Sequence, residues 1–376
     1  MHTLELAEAL QAAGVDATVI AMGEPGTLFR KVSAPVEMIA TPPWRDSLEL
    51  RVFSWIDAMA AGLDLLRDRF DIIHSQDCIS ARAAARVRDA GGRFRLIRTV
   101  HHVDDFTTQA LIDCQRNAIL EPDRVLVVSK AWQQRLQTDY GINATVVANG
   151  VRPERFAAAI GHKQRARLRR KVGADNRFLY LTIGGIEPRK GSKFLIEALA
   201  LLKATRPDAP VLAVVGGHSF QDYRDYRERV LASLPELGLE LGNDVVLLQT
   251  VSEQELAGWL AVADGFVFPS VKEGWGLAIL EAAGAGLPVV ASDIDVFQEF
   301  LVHDQTAILT KVGEPDSLAR GMARLIDEPQ TARRLRENGR ALAARYSWSA
   351  SAAQHIGIYA EVFDSSTTVA CKHGVI

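Results

Sequence analysis

The sequence predicts an α/β protein built from two doubly wound domains, each with a parallel sheet covered by helices. Short runs rich in Val and Ile alternate with longer amphipathic segments, stop in a polar and basic stretch at residues 152–176, and then begin again. Alternation of strands and helices is typical of parallel sheets. The length of 376 residues also suits two domains better than one core.

The expected strands are short apolar runs flanked by charged or turn residues. In the first half they lie at Asp16–Met22, Asp71–Asp77, Arg95–His102, Asp123–Ser129 and Asn143–Gly150, with helical patterns at 47–69, 79–90, 107–120 and 130–140. In the second half they lie at Phe178–Gly185, Val211–Gly217, Asp244–Gln249, Gly265–Ser270 and Leu287–Ser292. After Pro315 the chain reads as wholly helical.

These patterns give the expected domains. Residues 1–157 and a C-terminal helix at 348–363 form the first domain, residues 158–347 form the second, and the polar segment 364–376 is a flexible tail. The basic run is interpreted as a solvated linker helix, and contact with an anionic membrane surface is the weaker alternative. Because ligands of such sheets bind beyond the carboxyl ends of the strands, we expect the site in a central cleft that both domains face.

Composition excludes some classes of protein. A net charge of −3 and a pI near 6.3 argue against nucleic acid as a partner. The three cysteines lie far apart, without the spacing of metal ligands, which favours a reduced, cytoplasmic protein. No segment is apolar over a membrane-spanning length, and no signal peptide is evident, so only peripheral membrane contact stays open.

The most informative stretch is KEGWGLAILEAAGAGLPVVASD, residues 272–293. Gly274 and Gly276 form a turn between a strand and a helix that begins at Leu277, and backbone N–H groups at such a helix start suit a phosphate or a sugar hydroxyl. Glu273 would repel phosphate there, so we expect it to accept hydrogen bonds from hydroxyls. Glu281 lies one turn into the helix among small apolar residues, where a charge is costly unless it meets a ligand hydroxyl or a cation.

A second loop, between Gly185 and the helix that follows Gly191, carries Arg189 and Lys190. Two cations beside a helix start predict a diphosphate site, and a solvated pair is the alternative. The order Lys190-Gly191-Ser192 fails the phosphate-loop pattern of nucleotide hydrolases, and no G-x-G-x-x-G opens a helix after a strand.

Histidines end two strands of the first domain. A His of TVHH, residues 99–102, is expected to point into the cleft and donate a hydrogen bond to a sugar hydroxyl or the reacting oxygen, with a structural role as the alternative. HSQD, residues 74–77, is a weaker candidate for contact with an acceptor. Asp293-Ile294-Asp295 has the Asp-x-Asp form of many metal sites, but it is interpreted as turn chemistry and helix capping, so no metal is predicted.

Together these motifs resemble the retaining family-4 glycosyltransferases of the GT-B fold. The resemblance covers nearly the whole chain. It rests on an E-x7-E element (Glu273 to Glu281), E-P-R-K (Glu187–Lys190), N-G-V (Asn149–Val151), T-x-H (Thr99–His101), and Trp348 and Tyr359 of a closing helix.

The resemblance implies an enzyme that moves a sugar from a nucleotide diphosphate sugar to an acceptor hydroxyl, with no cofactor or metal. By position, His101 would touch the transferred sugar, Glu281 the ribose, and the backbone near Val251 the base. Arg189 and Lys190 would bind the diphosphate. The sugar would be held by Glu273 and by the backbone of Gly274, Trp275, Gly276, Leu277 and Ala278.

Two departures from the family accompany the resemblance. Gly185 is one of the expected donor-binding residues. Many family members carry Arg at this position, and Arg189 is expected to replace the missing Arg. The usual first strand and Gly-Gly turn are missing, so we hypothesise that Met1 is not the natural start or that the chain is truncated.

The alternatives to a transferase are a non-catalytic sugar-nucleotide binding protein and a GT-B sugar-nucleotide epimerase. The acceptor class, whether glycan, lipid or small molecule, stays open.

Overall fold

The computed structural model describes residues 2–24, 26, 30–156, 160–217 and 223–371. The chain divides into two compact units, one formed by residues 1–150 and 347–376 and the other by residues 151–346. Each unit contains parallel sheet with α-helices between the strands. The predicted α/β class, with two Rossmann-like domains, is confirmed.

The first unit contains two parallel sheets, of two and four strands. The two-stranded sheet pairs β1 (Val19–Met22) with β2 (Val36–Ile39). The four-stranded sheet contains, in spatial order, β3 (Ile72–Ser75), β4 (Arg95–Val100), β5 (Arg124–Val127) and β6 (Thr145–Val146). The helices of this unit are α1 (His2–Ala12), α2 (Leu48–Asp64), α3 (Cys78–Asp89), α4 (Gln109–Leu120), α5 (Lys130–Tyr140) and α14 (Trp348–Cys371).

Helix α14 belongs to the first unit because its apolar side chains complete that unit's core. Ile358 and Val362 of α14 pack on Ile97 of β4 and Leu126 of β5. The helix continues to Cys371, where the sequence analysis expects a flexible tail from residue 364, because no Gly or Pro interrupts that stretch. Residues 372–376 lie outside the described part. No helix of the described residues combines the length and apolarity needed to cross a bilayer.

The second unit contains one six-stranded parallel sheet in the order β12-β11-β10-β7-β8-β9. Its strands are β7 (Leu179–Ile183), β8 (Val211–Val215), β9 (Val245–Gln249), β10 (Gly265–Phe268), β11 (Val289–Ser292) and β12 (Ile308–Thr310). Its helices are α6 (His162–Lys171), α7 (Ser192–Thr205), α8 (Arg224–Ala232), α9 (Glu253–Val262), α10 (Leu277–Gly284), α11 (Asp295–Gln298), α12 (Pro315–Asp327) and α13 (Pro329–Ala343). Because β10 lies directly beside β7, the loops that follow these two strands emerge at the same edge.

The second unit begins before the basic run rather than within or after it. Val151 donates a backbone hydrogen bond to Tyr346 O (3.0 Å), so the first and last residues of this unit are tied together. The basic run forms α6, which has no buried residues, but Arg169 anchors it to Asp264 Oδ2 (2.9 Å). The expected linker helix is therefore part of the second unit, because its arginine has partners there.

Each strand run expected from the sequence contains a strand, and β2 and β12 are additional. Strand β2 is four residues long and half-buried throughout, and β12 has three residues. Strand β2 carries the charged Glu37 in its middle and β12 ends in Thr310 after two apolar residues, so neither forms a continuous apolar run that the sequence reveals.

Candidate active site

The loops after β7 and β10 are joined at the carboxyl edge of the second unit's sheet. Val271 N donates to Arg189 O across them (2.8 Å). Gly191 adopts φ 65°, and a Cβ on it would lie 2.0 Å from Pro269 O, so no other residue permits this approach. The two cations of the first loop are thereby held beside the Gly-Trp-Gly turn of the second.

The three charged residues that the sequence assigns to this edge meet. Lys190 Nζ lies 2.6 Å and Arg189 Nη1 lies 3.2 Å from the same Glu273 oxygen, Oε1. Lys190 also lies 4.7 Å from the centre of the Phe268 ring, a cation–π contact. The Glu273 side chain is 10% exposed, so this cluster lies largely out of water. The charge-assisted hydrogen bond from Lys190 and the ion pair with Arg189 hold the three groups together.

The turn that follows Glu273 is held by an aromatic cluster. The Trp275 ring is buried and lies 5.0 Å from Phe300 and 5.5 Å from Tyr346. Gly276 adopts φ 123° at the N-cap of α10, and no side chain caps this helix end. The Trp275 side chain is therefore a packing anchor, while the backbone from Gly274 through Leu277 to Ala278 presents N–H groups at the helix start.

Gly185 lines a small cavity at the same edge, together with Gly184, Lys190 and Phe268. Its carbonyl oxygen accepts a hydrogen bond from Ser192 Oγ (3.3 Å), which ties the end of β7 to the start of α7. A Cβ on Gly185 would lie 2.8 Å from Gly217 O, so the glycine lets this turn lie close to the turn after β8.

Glu281 lies in α10 and is 8% exposed. Burial raises the pKa of its carboxyl group to about 7, and nearby Arg155 opposes part of the rise. Among the described residues, no hydrogen bond or ion pair reaches this side chain. Because a buried carboxylate without donors is unfavourable, the group is half-protonated near neutral pH and suited to a ligand that supplies donors.

Val251 lies in the short connection between β9 and α9, half-buried, two strands away from β7. Gln249 just before it has φ 59° and accepts a hydrogen bond from Gly216 N (3.0 Å), which turns the chain sharply at the end of β9. The capping box of Ser252 and Glu255 then starts α9. The backbone around Val251 is thus at the same carboxyl edge as Glu273.

His101 follows β4 in the first unit and is half-buried. Its Nε2 lies 3.0 Å from Gln76 Oε1, and its ring packs against His2 at 4.6 Å. Burial, reinforced by the neighbouring His102 and Arg98 side chains, lowers its pKa to about 3, so the ring is neutral at neutral pH. With Gln76 as acceptor, Nε2 carries the proton and Nδ1 is left as an acceptor, whereas the sequence analysis expects a donor.

His74, the weaker candidate of the first unit, has a structural role. Its Nδ1 lies 2.7 Å from the Tyr359 hydroxyl and its Nε2 lies 2.8 Å from Thr99 Oγ1. Both ring nitrogens are therefore engaged within the protein, and the ring ties β3 to β4 and α14. Its pKa is well below the ordinary value because the ring is buried.

Asp293 and Asp295 do not act as a pair. Asp293 Oδ1 accepts a hydrogen bond from Gln298 Nε2 (2.7 Å), and Asp295 is the first residue of the short helix α11. No cluster of three potential metal-binding side chains occurs among the residues that the structure describes.

Comparison with known proteins identifies the family. Residues 164–342 match the family of glycosyl transferases group 1, and residues 1–155 match glycosyltransferase family 4. The chain is 30% identical over 315 residues to a D-inositol 3-phosphate glycosyltransferase of Thermobispora bispora, a match that covers 79% of this chain and 72% of that protein. The chain is a glycosyltransferase.

Other similar proteins agree with this assignment. The glycosyltransferase is 26% identical over 307 residues to an uncharacterized glycosyltransferase of Methanocaldococcus jannaschii, over 78% of this chain and 75% of that one. Its fold is similar to that of sucrose-phosphate synthase from Thermosynechococcus elongatus, with a TM-score of 0.77 and 22% identity over 96% of this chain and 92% of that one. The fold is also similar to that of Anabaena HepE, with a TM-score of 0.75 and 21% identity over 92% of this chain and 99% of that one. The glycosyltransferase thus has the GT-B fold.

Sequence reasoning about this glycosyltransferase missed several contacts. Gln76, which bonds to His101, belongs to the stretch HSQD, for which the sequence predicts contact with an acceptor and not with His101. Tyr346 and Phe300, which hold Trp275, lie far along the chain and in no motif. The ion pair between Lys190 and Glu273 joins residues 83 positions apart, so only the order of strands brings them together.

Proposed function

We propose that this glycosyltransferase takes its sugar from a nucleotide diphosphate sugar and transfers it with retention of anomeric configuration and without a metal ion. The observation that carries the proposal is the contact of Arg189 and Lys190 with Glu273 at the carboxyl edge of the second unit's sheet. A similar solved structure, Anabaena HepE, contains UDP-glucose in one case and UDP and glucose in another, which supports this class of donor.

Arg189 and Lys190 would bind the diphosphate. A charge-assisted hydrogen bond contributes about 1.5–3 kcal/mol, whereas a helix N-terminus contributes about 0.3–1 kcal/mol. The two cations therefore dominate binding of the leaving group, and the start of α10 adds to it. When a diphosphate takes the place of the Glu273 carboxylate on these cations, Glu273 becomes free to accept hydrogen bonds from sugar hydroxyls.

The reaction proposed is attack by an acceptor hydroxyl on the same face of the sugar from which the diphosphate leaves. The bond from C1 to the phosphate oxygen breaks, the bond from C1 to the acceptor oxygen forms, and the acceptor proton passes to the departing phosphate. The protein positions the reactants and stabilises the growing negative charge on the diphosphate. Arg189 and Lys190 lie where that charge develops in this scheme.

Metal independence is part of the same proposal. Two fixed cations supply the positive charge for which many sugar transferases use a divalent ion. The Asp-x-Asp sequence, the strongest metal-like motif of the chain, has one carboxylate already bound by Gln298. Transfer should therefore persist in excess chelator.

The remaining donor contacts are proposals of the same kind. Glu281, buried and without a described partner, would bind the ribose hydroxyls. The backbone at Val251 would meet the base, since it lies on the same edge of the sheet. His101, neutral and with Nδ1 left as an acceptor, would contact a hydroxyl of the transferred sugar.

The acceptor hydroxyl is proposed to belong to a glycan, a lipid or a small molecule. Two relatives are named for acceptors built on inositol, a D-inositol 3-phosphate glycosyltransferase and a phosphatidyl-myo-inositol mannosyltransferase. Because the named relatives are transferases, a non-catalytic binding protein and an epimerase are the less favoured functions.

The test is product formation by wild-type protein and by Glu273→Ala, with a panel of radiolabelled nucleotide sugars. We expect Glu273→Ala to abolish transfer while nucleoside diphosphate still binds. Glu314→Gln, an exposed glutamate of the same unit, is the matched control and should leave transfer unchanged. Full transfer by Glu273→Ala would remove the role assigned to Glu273, and donor conversion without acceptor would favour the epimerase.

A further inference from the structure

Two polar side chains at the carboxyl edge of the four-stranded sheet are buried without a hydrogen-bond partner among the described residues. Arg98 is 4% exposed, and its Nε and Nη1 have no hydrogen-bond partner among the described residues. Ser75 is 2% exposed, and its Oγ has none there either. A buried guanidinium that lacks an acceptor is strongly unfavourable, so the pair needs an explanation.

Arg98 and Ser75 are direct neighbours. They are register partners on β4 and β3, and partners in a parallel ladder project from the same face of the sheet. The opposite face carries His74 and Thr99, which bond to each other and, through His74, to Tyr359. Arg98 and Ser75 therefore lie together on the other face, away from α14.

The start of helix α3 lies at the same place. The helix begins at Cys78, directly after the loop that follows Ser75, and the Asp77 carboxylate caps Ser80 N (2.7 Å). The backbone N–H groups of Cys78 and Ile79 make no hydrogen bond to a described residue. The helix start therefore follows within three residues of Ser75, whose register partner is Arg98, so these N–H groups belong to the same part of the sheet edge as the hydroxyl and the guanidinium.

The surrounding groups do not neutralise the Arg98 charge. Asp77 and Asp104 act on the pKa of Arg98 through space, but no described residue forms an ion pair with it. Burial raises the pKa of the Cys78 thiol to about 12 and also raises that of Cys114, so both remain uncharged. A positive charge is left at the sheet edge with neutral sulfur groups beside it.

We propose that Arg98, Ser75 and the first turn of α3 bind a phosphate group carried by the acceptor. The donors at this point exceed what the two oxygens of a carboxylate accept, and the terminal oxygens of a phosphate monoester match them better. The assignment of this phosphate to the acceptor rests on the proposed function. The existence of the site does not, because the first unit contains it entirely.

The experiment measures binding of inorganic phosphate by calorimetry at constant ionic strength. The protein carries Arg189→Ala and Lys190→Ala, so that phosphate cannot bind at the donor loop. We expect saturable binding that Arg98→Met abolishes and Ser75→Ala weakens roughly tenfold. Arg95→Met, on the same strand but 36% exposed, is the matched control and should bind as before.

Stability distinguishes a binding role from a structural one. If Arg98 serves a ligand, Arg98→Met removes an uncompensated buried charge, and the ligand-free protein should unfold at the same temperature or higher. A lower unfolding temperature with unchanged phosphate binding would overturn the proposal. If Arg98→Met fails to fold, Ser75→Ala decides, since undiminished affinity in that variant also contradicts the site.

Two competing ligands distinguish a phosphate carried by a small molecule from a phosphate carried by a lipid. Glucose 6-phosphate should displace inorganic phosphate, and vesicles of phosphatidylcholine with phosphatidic acid should not, because the site is buried at a sheet edge. Displacement by the vesicles alone would overturn the assignment to a small acceptor. Phosphate binding at Arg98 in a protein that binds no nucleotide sugar would leave this site standing while the proposed function fails.

Discussion

The carboxyl edges of the four-stranded sheet of the first unit and the six-stranded sheet of the second differ in how they treat their charges. In the second unit, Arg189 and Lys190 are paired with Glu273, and the adjoining turn is fixed by the Trp275 cluster. In the first unit the edge holds neutral imidazoles and Arg98, which is buried without a described partner. The difference is that one edge holds its cations in a charge pair that a charged ligand would have to replace, whereas the other holds a buried cation that only a ligand would satisfy.

The largest effect is expected from breaking the paired edge. Lys190→Ala removes a cation that we propose stabilises the leaving diphosphate, and loss of one such preorganised group typically costs about 10²–10³ in turnover. Steady-state transfer measured with the best donor checks this. Lys193→Ala, an exposed lysine nearby, is the control, and equal rates for Lys190→Ala and wild type would contradict the assignment.

The anchored turn of the second unit should depend on packing. Trp275→Ala empties a buried site between Phe300 and Tyr346, which typically lowers the free energy of unfolding by about 3 kcal/mol or more. Urea unfolding of the variant and of the wild type measures this loss in the free energy of unfolding. Leu241→Ala, at an apolar residue of the same unit that is 51% exposed, should change stability little. Equal losses in the two variants would show that the aromatic cluster does not hold the turn.

Because the first unit contains buried, neutral imidazoles, we expect the protein to lose folding stability in acid. Burial lowers the pKa of His74 and of His355 below the unfolded value of 6.5, so their contribution to stability is complete above that pH and is lost as pH falls. As the pH falls, each of these two histidines should lower the free energy of unfolding by up to about 1.4 kcal/mol per pH unit.

Urea unfolding between about pH 7 and pH 5 tests this slope. His74→Gln should flatten it, and His303→Gln, at a histidine that is 51% exposed, should not. A slope that His74→Gln leaves intact would assign the acid sensitivity to other groups.

The smallest effect expected is a proton released on nucleotide binding. The raised pKa of Glu281, about 7, means that its neutral form is favoured below that pH, and ribose hydroxyls that donate to it would favour the carboxylate. Binding near pH 6.5 should therefore release up to about one proton. Calorimetry in two buffers with different ionisation enthalpies measures it. Glu281→Gln should remove the buffer dependence, and a dependence that survives would place the proton elsewhere.

Local pattern was enough to predict the parts of the fold that are encoded by contiguous residues. The apolar runs that became β7 and β10 stand out because buried parallel strands are apolar throughout, and the glycines around Trp275 mark the turn. Strands β2 (VEMI) and β12 (ILT) lack such a run, because a charged or polar residue interrupts or ends it. The loop residues of the second unit's edge could therefore be named from sequence, because each follows a recognisable strand.

Contacts set by strand order could not be predicted in the same way. Nothing local shows that Glu273 bonds to Lys190, since that requires β10 to lie beside β7. Arg98 lies in an ordinary strand run, and its lack of a partner in the described part of the chain emerges only when its neighbours on β3 and α3 are known. Such a residue resembles a core position in sequence and differs from one only in what surrounds it.

The central claim is that the second unit binds an activated sugar through its diphosphate at Arg189 and Lys190. Calorimetric titration of wild-type protein and of Lys190→Ala with a panel of nucleoside diphosphate sugars tests it most directly. The account predicts saturable binding of at least one such compound by the wild type and binding weakened roughly tenfold or more in Lys190→Ala. No heat with any compound, or equal affinity in the two proteins, would contradict it.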